Sequence, residues 1–426
     1  MKKILVSIAL FLAVTAQIRA SVILVPMDAK QKEHLKAYGI TFWILQKGIE
    51  AHWLLNYRGG SFAFVHRLEY EKECKTRNVS YEVISDAQFA GIQREIGNPE
   101  VNMDDIKLEV APKIAVYTPQ FDEKGKKIQP WDDAVTMVLT YAEIPYEVVY
   151  DREVLEGKLA LYDWLHLHHE DFTGQYGKFY GSYANTTWYR ENQKSSEALS
   201  KSLGFAKVSQ CKLAVAKRIR EFVAGGGFMF AMCSATDSYD VALAADGVDI
   251  CAQMYDGDGA DPNAQSKLNF DNTLAFKDFI ISRDPMEYEF STIDNNERRT
   301  LRTPETDYFT LFDFSAKYDP IPTMLTQCHT RTVKGFMGQT TAFIKKFIKP
   351  EVLTLGENKS YSETRYLHGI LGQGFFTFYG GHDPEDYRHY VDDPETDLSL
   401  HPNSPGYRLI LNNILFPAAK KKHRKT

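Results

Sequence analysis

The sequence is poor in cysteine: five residues in 426, at Cys74, Cys211, Cys233, Cys251 and Cys328, with no C-x-x-C pair among them. That excludes a disulfide miniprotein and leaves a thioredoxin-type or zinc-ribbon site without support. An odd count also leaves at least one thiol free in a monomer. Positive charge is not in excess. Fifty Lys+Arg face 56 Asp+Glu for a net of −6, which argues against a nucleic-acid binder. Beyond the first twenty residues no stretch is apolar enough to span a bilayer. No repeat of solenoid or propeller period is visible, and the zincin motif H-E-x-x-H is absent. Aromatic residues, by contrast, are plentiful: 24 Tyr, 26 Phe and 5 Trp in a chain that is 44% hydrophobic. Such a chain can bury large cores, and its length suggests two or three domains at roughly 150 residues each.

Residues 1–20 read as a secretory signal peptide. Lys2 and Lys3 precede an uncharged, mostly apolar run from Ile4 to Val14, followed by small-residue patterns at Val14-Thr15-Ala16 and Ile18-Arg19-Ala20. Removing Lys2, Lys3 and Arg19 takes the net charge from −6 to −9. The expected location is periplasmic or secreted. Residues 419–426 form a basic tail, Lys420 to Lys425, expected to be solvated.

Residues 21–111 read as a small N-terminal αβ module. A strand over Val22–Pro26 leads to a helix over Asp28–Tyr38 with Gly39 as its stop. Short apolar runs at Thr41–Leu45 and Ala51–Tyr57 follow, and Arg58-Gly59-Gly60-Ser61 turns into Phe62–Phe64. From 112 to 418 the pattern changes to alternating strands and helices. Strands are expected at 114–118, 146–150, 162–168, 228–232 and 374–379. Helices are expected at 132–142, at 212–223 before Gly225-Gly226-Gly227, from about Ser238, and at 408–416. That alternation predicts an α/β fold with a doubly wound parallel sheet. Regularity lapses over about 246–350, which reads as a large insertion. Strands resume at 351–355 and 366–370.

In an open parallel sheet, ligands bind beyond the carboxyl ends of the strands. Here those ends carry Thr118-Pro119-Gln120, His168-His169-Glu170-Asp171, Cys233-Ser234 and Gly380-Gly381-His382-Asp383-Pro384-Glu385. Cys233 follows a strand and precedes a helix, as a nucleophile elbow does. The small residues Ala231 and Ala235 flank it. A helix N-terminus beyond it would favour thiolate, with His382 as base and Glu385 orienting that base. The alternative is a structural Cys at a strand end. His168, His169 and Glu170, with Ser234, are candidate substrate-binding residues. His168, His169 and Glu170 with His382 are also candidate divalent-metal ligands. Asp256-Gly257-Asp258-Gly259-Ala260-Asp261 has the look of a calcium loop but lacks the distal Glu, so a solvated turn is preferred. Phe172 to Arg190 carries aromatics suited to a substrate mouth or a packed lid.

Strand–Cys–helix followed by strand–Gly-His-Asp-Pro-Glu resembles the class I glutamine-amidotransferase-like superfamily, and Gly369 to His382 resembles its ThuA-like branch. The resemblance implies a flavodoxin-like sheet with Cys233 as nucleophile, His382 as base and Glu385 as its acid. Three departures stand out. Ala replaces the elbow glycines, Asp383 separates His382 from Pro384, and His168-His169-Glu170-Asp171 replaces a Gly-rich oxyanion loop. The N-terminal module, at His34–Ile40 and Leu54–Phe62, also resembles exported Bacteroidetes proteins labelled asparagine synthetase B. The residues do not support that activity: Lys2 follows Met1 where its glutaminase needs Cys, and only Arg58-Gly59-Gly60-Ser61 echoes its phosphate loop.

The expectation is an exported Cys–His amidohydrolase acting on a small amide or a cell-envelope fragment. A non-catalytic binding or envelope-assembly module and a metal-dependent hydrolase are the alternatives. No organic cofactor is implied, a divalent metal stays open, and neither nucleic acid nor a membrane span is expected.

Overall fold

A computed structural model of the chain describes residues 20–119, 132–295, 302–391 and 393–419. Of the expected signal peptide only Ala20, and of the basic tail only Ala419, fall within them. No described helix is long and apolar enough to cross a membrane.

Among the described residues the chain is a mixed α/β protein with two sheets. The first is antiparallel and contains β1 (Ala20–Val25), β2 (Ala51–Leu55), β3 (Ser61–Val65), β4 (Glu82–Ser85) and β5 (Asp104–Leu108) in the order β4-β1-β3-β2-β5. Its faces follow strand alternation. Val22, Leu24, Leu54 and Ala63 pack with Ile84 and Ile96, while Ile23, Val25, Trp53 and Phe62 face the rest of the molecule. Against that second face lies the helix His34–Gln46.

This helix corrects the expected 28–38 helix, its Gly39 stop and the separate run at 41–45. Gly39 lies inside the helix because a second helix, Ala134–Tyr141, crosses there. A Cβ on Gly39 would stand 1.8 Å from the Ala142 carbonyl oxygen. Ten of the helix's residues are buried, so it has no polar face. Without an amphipathic stripe its apolar run looks like a strand in sequence.

The second sheet has ten strands. Its parallel part contains β6 (Ile114–Tyr117), β7 (Glu147–Val149), β8 (Trp164–Leu167), β9 (Phe228–Met232) and, near the end of the chain, β15 (Gly374–Tyr379), in the order β7-β6-β8-β9-β15. The sheet then continues antiparallel through β14 (Glu363–Leu371), β13 (Leu353–Asn358), β10 (Tyr308–Leu311) and β11 (Thr332–Lys334). β12 (Phe343–Ile344) also pairs with β14. The expected all-parallel sheet is therefore corrected to a mixed one. The irregular stretch 246–350, read as an insertion, supplies β10, β11 and β12 to this sheet.

Helices cover both faces of the parallel strands. Val215, Ile219 and Val223 of Val208–Ala224 pack with Leu165, Leu167, Met229 and Ala231. On the other face, Val135, Val138, Ile410 and Leu411 pack with Val116, Phe230 and Met232, and the same core runs on into Trp53 and Phe62 of the first sheet. The two sheets thus share one apolar core.

A buried ionic cluster ties the antiparallel extension to the parallel half. Arg365 of β14 donates to both oxygens of Asp307 at 2.8 and 2.6 Å and to Glu363 at 3.0 Å. Arg302 donates to Glu363 at 2.9 and 2.8 Å. Arg365 also donates to the carbonyls of Phe336 and Thr341 at 2.8 and 3.2 Å. It thereby holds the 336–341 segment beside the carboxyl end of β15.

Candidate active site

Three of the strand ends singled out from sequence meet. His169, Cys233, Ser234 and His382 line one cavity of about 270 Å³, together with Gln339 and His389. The segment after β6 leaves the described residues at Gln120 and re-enters at Asp132.

Cys233 separates Met232, the last residue of β9, from the helix Ser234–Ala244, which begins at once rather than near Ser238. Its backbone has φ 51° and ψ −139°, a conformation that costs a non-glycine residue about 1–3 kcal/mol. The neighbours Ala231 and Ala235 are fully buried, so larger side chains would not fit this turn. The Ala235 N–H donates to the His168 carbonyl at 3.0 Å, tying the helix start to the end of β8. The Cys233 thiol accepts the Gln339 N–H at 3.3 Å. Burial pushes the thiol up to about 11, against the pull of nearby backbone N–H groups. Among the described residues no hydrogen bond joins Cys233 to His382.

His382 is held from its other side. Its Nδ1 lies 3.0 Å from His168 Nε2, and His168 Nδ1 faces Asp133 Oδ2 at 3.3 Å. Asp133 caps the helix Ala134–Tyr141, its Oδ1 accepting the Val135 and Thr136 N–H groups at 2.8 and 2.9 Å. His166 Nε2 adds a contact to Asp133 Oδ2 at 3.2 Å. Burial alone would raise the Asp133 carboxyl, but His166 and His168 outweigh it and hold the group well below the usual range. Burial pushes His168, His169 and His382 down, so the imidazoles are neutral at neutral pH.

Two expected roles are corrected. Glu385 does not orient His382: its carboxylate pairs with His401 Nδ1 at 3.2 Å. The Asp383 side chain accepts the Glu385 N–H at 2.9 Å and the Tyr407 and Thr396 hydroxyls at 2.8 and 2.7 Å, which turns the chain away from the histidine. Glu170 leaves the Cys233 cavity. It lines a separate small cleft with Tyr150 and Lys212, its carboxylate 4.0 Å from the Lys212 ammonium. His168 is a buried support behind His382, while His169 and Ser234 face the cavity as expected.

Four residues were missed. Asp132 and Asp133 read only as a helix start, although paired acids ahead of a helix do signal an N-cap. His389 follows His382 in an unusually histidine-rich stretch, which was a usable signal. Gln339 sits in the irregular segment and carries none. Its side chain donates to the Gly177 and Tyr288 carbonyls at 2.5 and 2.9 Å, bridging the aromatic stretch to the site. Phe179 and Tyr183 of that stretch line the cavity, while Tyr176 and Tyr189 pack as a lid core with Tyr255.

Asp132 is the other unusual group. Its carboxyl is 4% exposed, 3.3 Å from His389 Nε2 and 3.7 Å from His382 Nε2. Burial raises it to about 6, with His389 pulling the other way. Asp256 and Asp258 of the calcium-like loop take Lys207 as their cation, at 3.0 and 2.5 Å.

No family model and no curated protein matches the chain. Among solved structures it is similar to two cytoplasmic proteins from Salmonella typhimurium, at 9% and 11% identity. The match covers 72% of this chain and 100% of theirs, with a TM-score of 0.34 for each. It is also similar to a GH42 beta-galactosidase, at 12% identity, 64% of this chain, 28% of that chain and a TM-score of 0.28. Scores this low assign neither a fold family nor an activity.

Proposed function

We propose that this chain is an exported, amidotransferase-like hydrolase in which Cys233 attacks the carbonyl of a small amide or envelope-derived fragment. The observation that carries the proposal is the backbone of Cys233, φ 51° and ψ −139°, between a strand and a helix N-terminus at a cavity wall. A strained residue at such a position is held there by the structure around it, and strain of this kind collects at functional sites.

In this reaction the Cys233 proton passes to His382 Nε2, and the sulfur bonds to the substrate carbonyl carbon. His382 then returns the proton to the leaving amine, and water hydrolyses the thioester. His168, aligned by Asp133, keeps His382 in the tautomer that leaves Nε2 free. The parallel strands with helices on both faces suit the doubly wound, amidotransferase-like arrangement. A cavity of about 270 Å³ fits a small substrate better than an extended glycan.

The second reading is a non-catalytic binding module. It is favoured by a thiol pushed up to about 11 whose bond is to Gln339. Chloroacetamide labelling of the native chain, read by mass spectrometry, separates the two. The hydrolase predicts that Cys233 labels before the other four cysteines. His168→Asn should slow that labelling on the order of tenfold, while Glu385→Gln leaves it unchanged. Protection of Cys233 until the chain is unfolded would sink the hydrolase and leave the binding module.

A further inference from the structure

Beside the cavity, four buried polar atoms have no hydrogen-bond partner among the described residues: Asp132 Oδ1 and Oδ2, His382 Nε2 and His389 Nε2. The side chains are 4%, 5% and 8% exposed. Buried polar groups are usually hydrogen-bonded, so four of them converging on one spot call for something to satisfy them.

The proton bookkeeping shows what is missing. His389 Nδ1 lies 3.1 Å from Asp386 Oδ2; in the tautomer with its proton there, Nε2 presents a lone pair. The same holds one residue removed for His382. His168 Nδ1 stands 3.3 Å from Asp133 Oδ2 without a hydrogen bond to it; with the proton of the His168–His382 contact on His382 Nδ1, His382 Nε2 is left as an acceptor. Two imidazole lone pairs and a carboxylate then converge with no donor between them. A divalent cation would satisfy all three at once.

We propose that Asp132, His382 and His389 form a binding site for one first-row divalent metal ion, with Zn²⁺ as the reference case. Two imidazoles and one carboxylate are a ligand set such ions favour. Their three ligand atoms lie within 4.8 Å of one another. Tetrahedral zinc at ordinary bond lengths spaces its ligands about 3.3 Å apart, against 3.3 and 3.7 Å here. Each imidazole is backed through its other nitrogen by a polar partner, Asp386 for His389 and the His168–Asp133 pair for His382, as metal-bound histidines are. His382 and His389 both line the cavity, so a further coordination position opens onto the space where a substrate or water would sit. The nearby trio His168, His169 and His382 is different. His168 and His382 satisfy each other directly, and His169 Nε2 is held by the Asp132 carbonyl at 2.7 Å.

The site does not depend on Cys233 chemistry, but its effect does rest on the hydrolase proposed above. An ion on His382 Nε2 takes the lone pair that would accept the thiol proton. Occupancy would then slow Cys233.

The test is calorimetric titration of the metal-stripped full-length chain with ZnCl₂, beside the Co²⁺ absorption spectrum. One equivalent should bind. Asp132→Asn and His389→Gln should each weaken binding by more than roughly 100-fold, and Asp386→Asn by about tenfold, the range for outer partners. Cys233→Ala should bind as the parent does. Thermal unfolding of each variant shows whether it is folded. No binding by the parent, or equal binding by folded Asp132→Asn and His389→Gln, overturns the site. Binding that leaves the Cys233 labelling rate unchanged upholds the site and overturns the role of His382 as base.

Discussion

Two buried clusters of charge lie within this fold, and they are built differently. In the antiparallel extension every oxygen of Asp307 and Glu363 accepts a bond from Arg365, Arg302, Asn295 or Tyr387. At the carboxyl ends of the parallel strands, neither Asp132 oxygen is hydrogen-bonded among the described residues, and two imidazole nitrogens face it in the same state. The first cluster matches two carboxylates with two guanidinium groups and holds a segment in place. The second holds acceptors without donors. Carboxylates whose every oxygen is bonded act as scaffold, whereas a carboxylate left open beside a cavity is a candidate place for a ligand.

The comparison breaks most visibly at Arg365. Arg365→Met removes one guanidinium from the cluster and leaves Asp307 Oδ1 without its donor, so it should cost about 3–5 kcal/mol in urea unfolding. A cost under about 1 kcal/mol would mean that the cluster is not scaffold.

The unsatisfied cluster should respond with the opposite sign. The Asp132 carboxyl rises from 3.8 unfolded to about 6 folded, so between those values the folded chain binds the extra proton. Stability of the metal-free chain therefore increases as pH falls from about 6 to 4, and is lost again as pH rises. At 1.36 kcal/mol per pH unit Asp132 contributes about 3 kcal/mol of that slope. Denaturant unfolding across this range should show the slope in the parent and its loss in Asp132→Asn. Equal slopes in the two proteins would mean that the carboxylate is already satisfied.

The smallest effect sharpens the contrast at the elbow itself. Cys233→Gly should be more stable than Cys233→Ala by about 1 kcal/mol, because glycine adopts φ 51° without strain while paying more backbone entropy. Equal thermal midpoints would mean that the turn stores no strain.

Much of the strand framework was legible in the sequence because it is written in neighbouring residues. Phe228–Met232 is a short apolar run after three glycines, and such runs form buried strands. Cys233 follows directly, so its place at a strand-to-helix junction was visible as well. The helix Val208–Ala224 announced itself by Val215, Ile219 and Val223 on one face. His34–Gln46 did not, because it is buried all round and its Gly39 answers to Ala142, about a hundred positions away. The antiparallel strands β10 and β11 were equally hidden, being short and bounded by irregular chain.

Among the candidate site residues the same line divides what the chain determined from what only folding decided. Spacing along the chain was enough to bring His169, Cys233, Ser234 and His382 to one cavity, because consecutive parallel strands carry their ends to one edge of a sheet. It was not enough to choose their partners. Glu385 is three residues from His382 yet pairs with His401, since the Asp383 turn points it away. Asp132 lies 250 positions before His382 and stands opposite it. Backbone conformation is set within a few residues by sterics and hydrogen bonding. The partner of a buried acid or imidazole is set by which helix caps, turns and loops the shared core presses against it, and those arrive from anywhere in the chain.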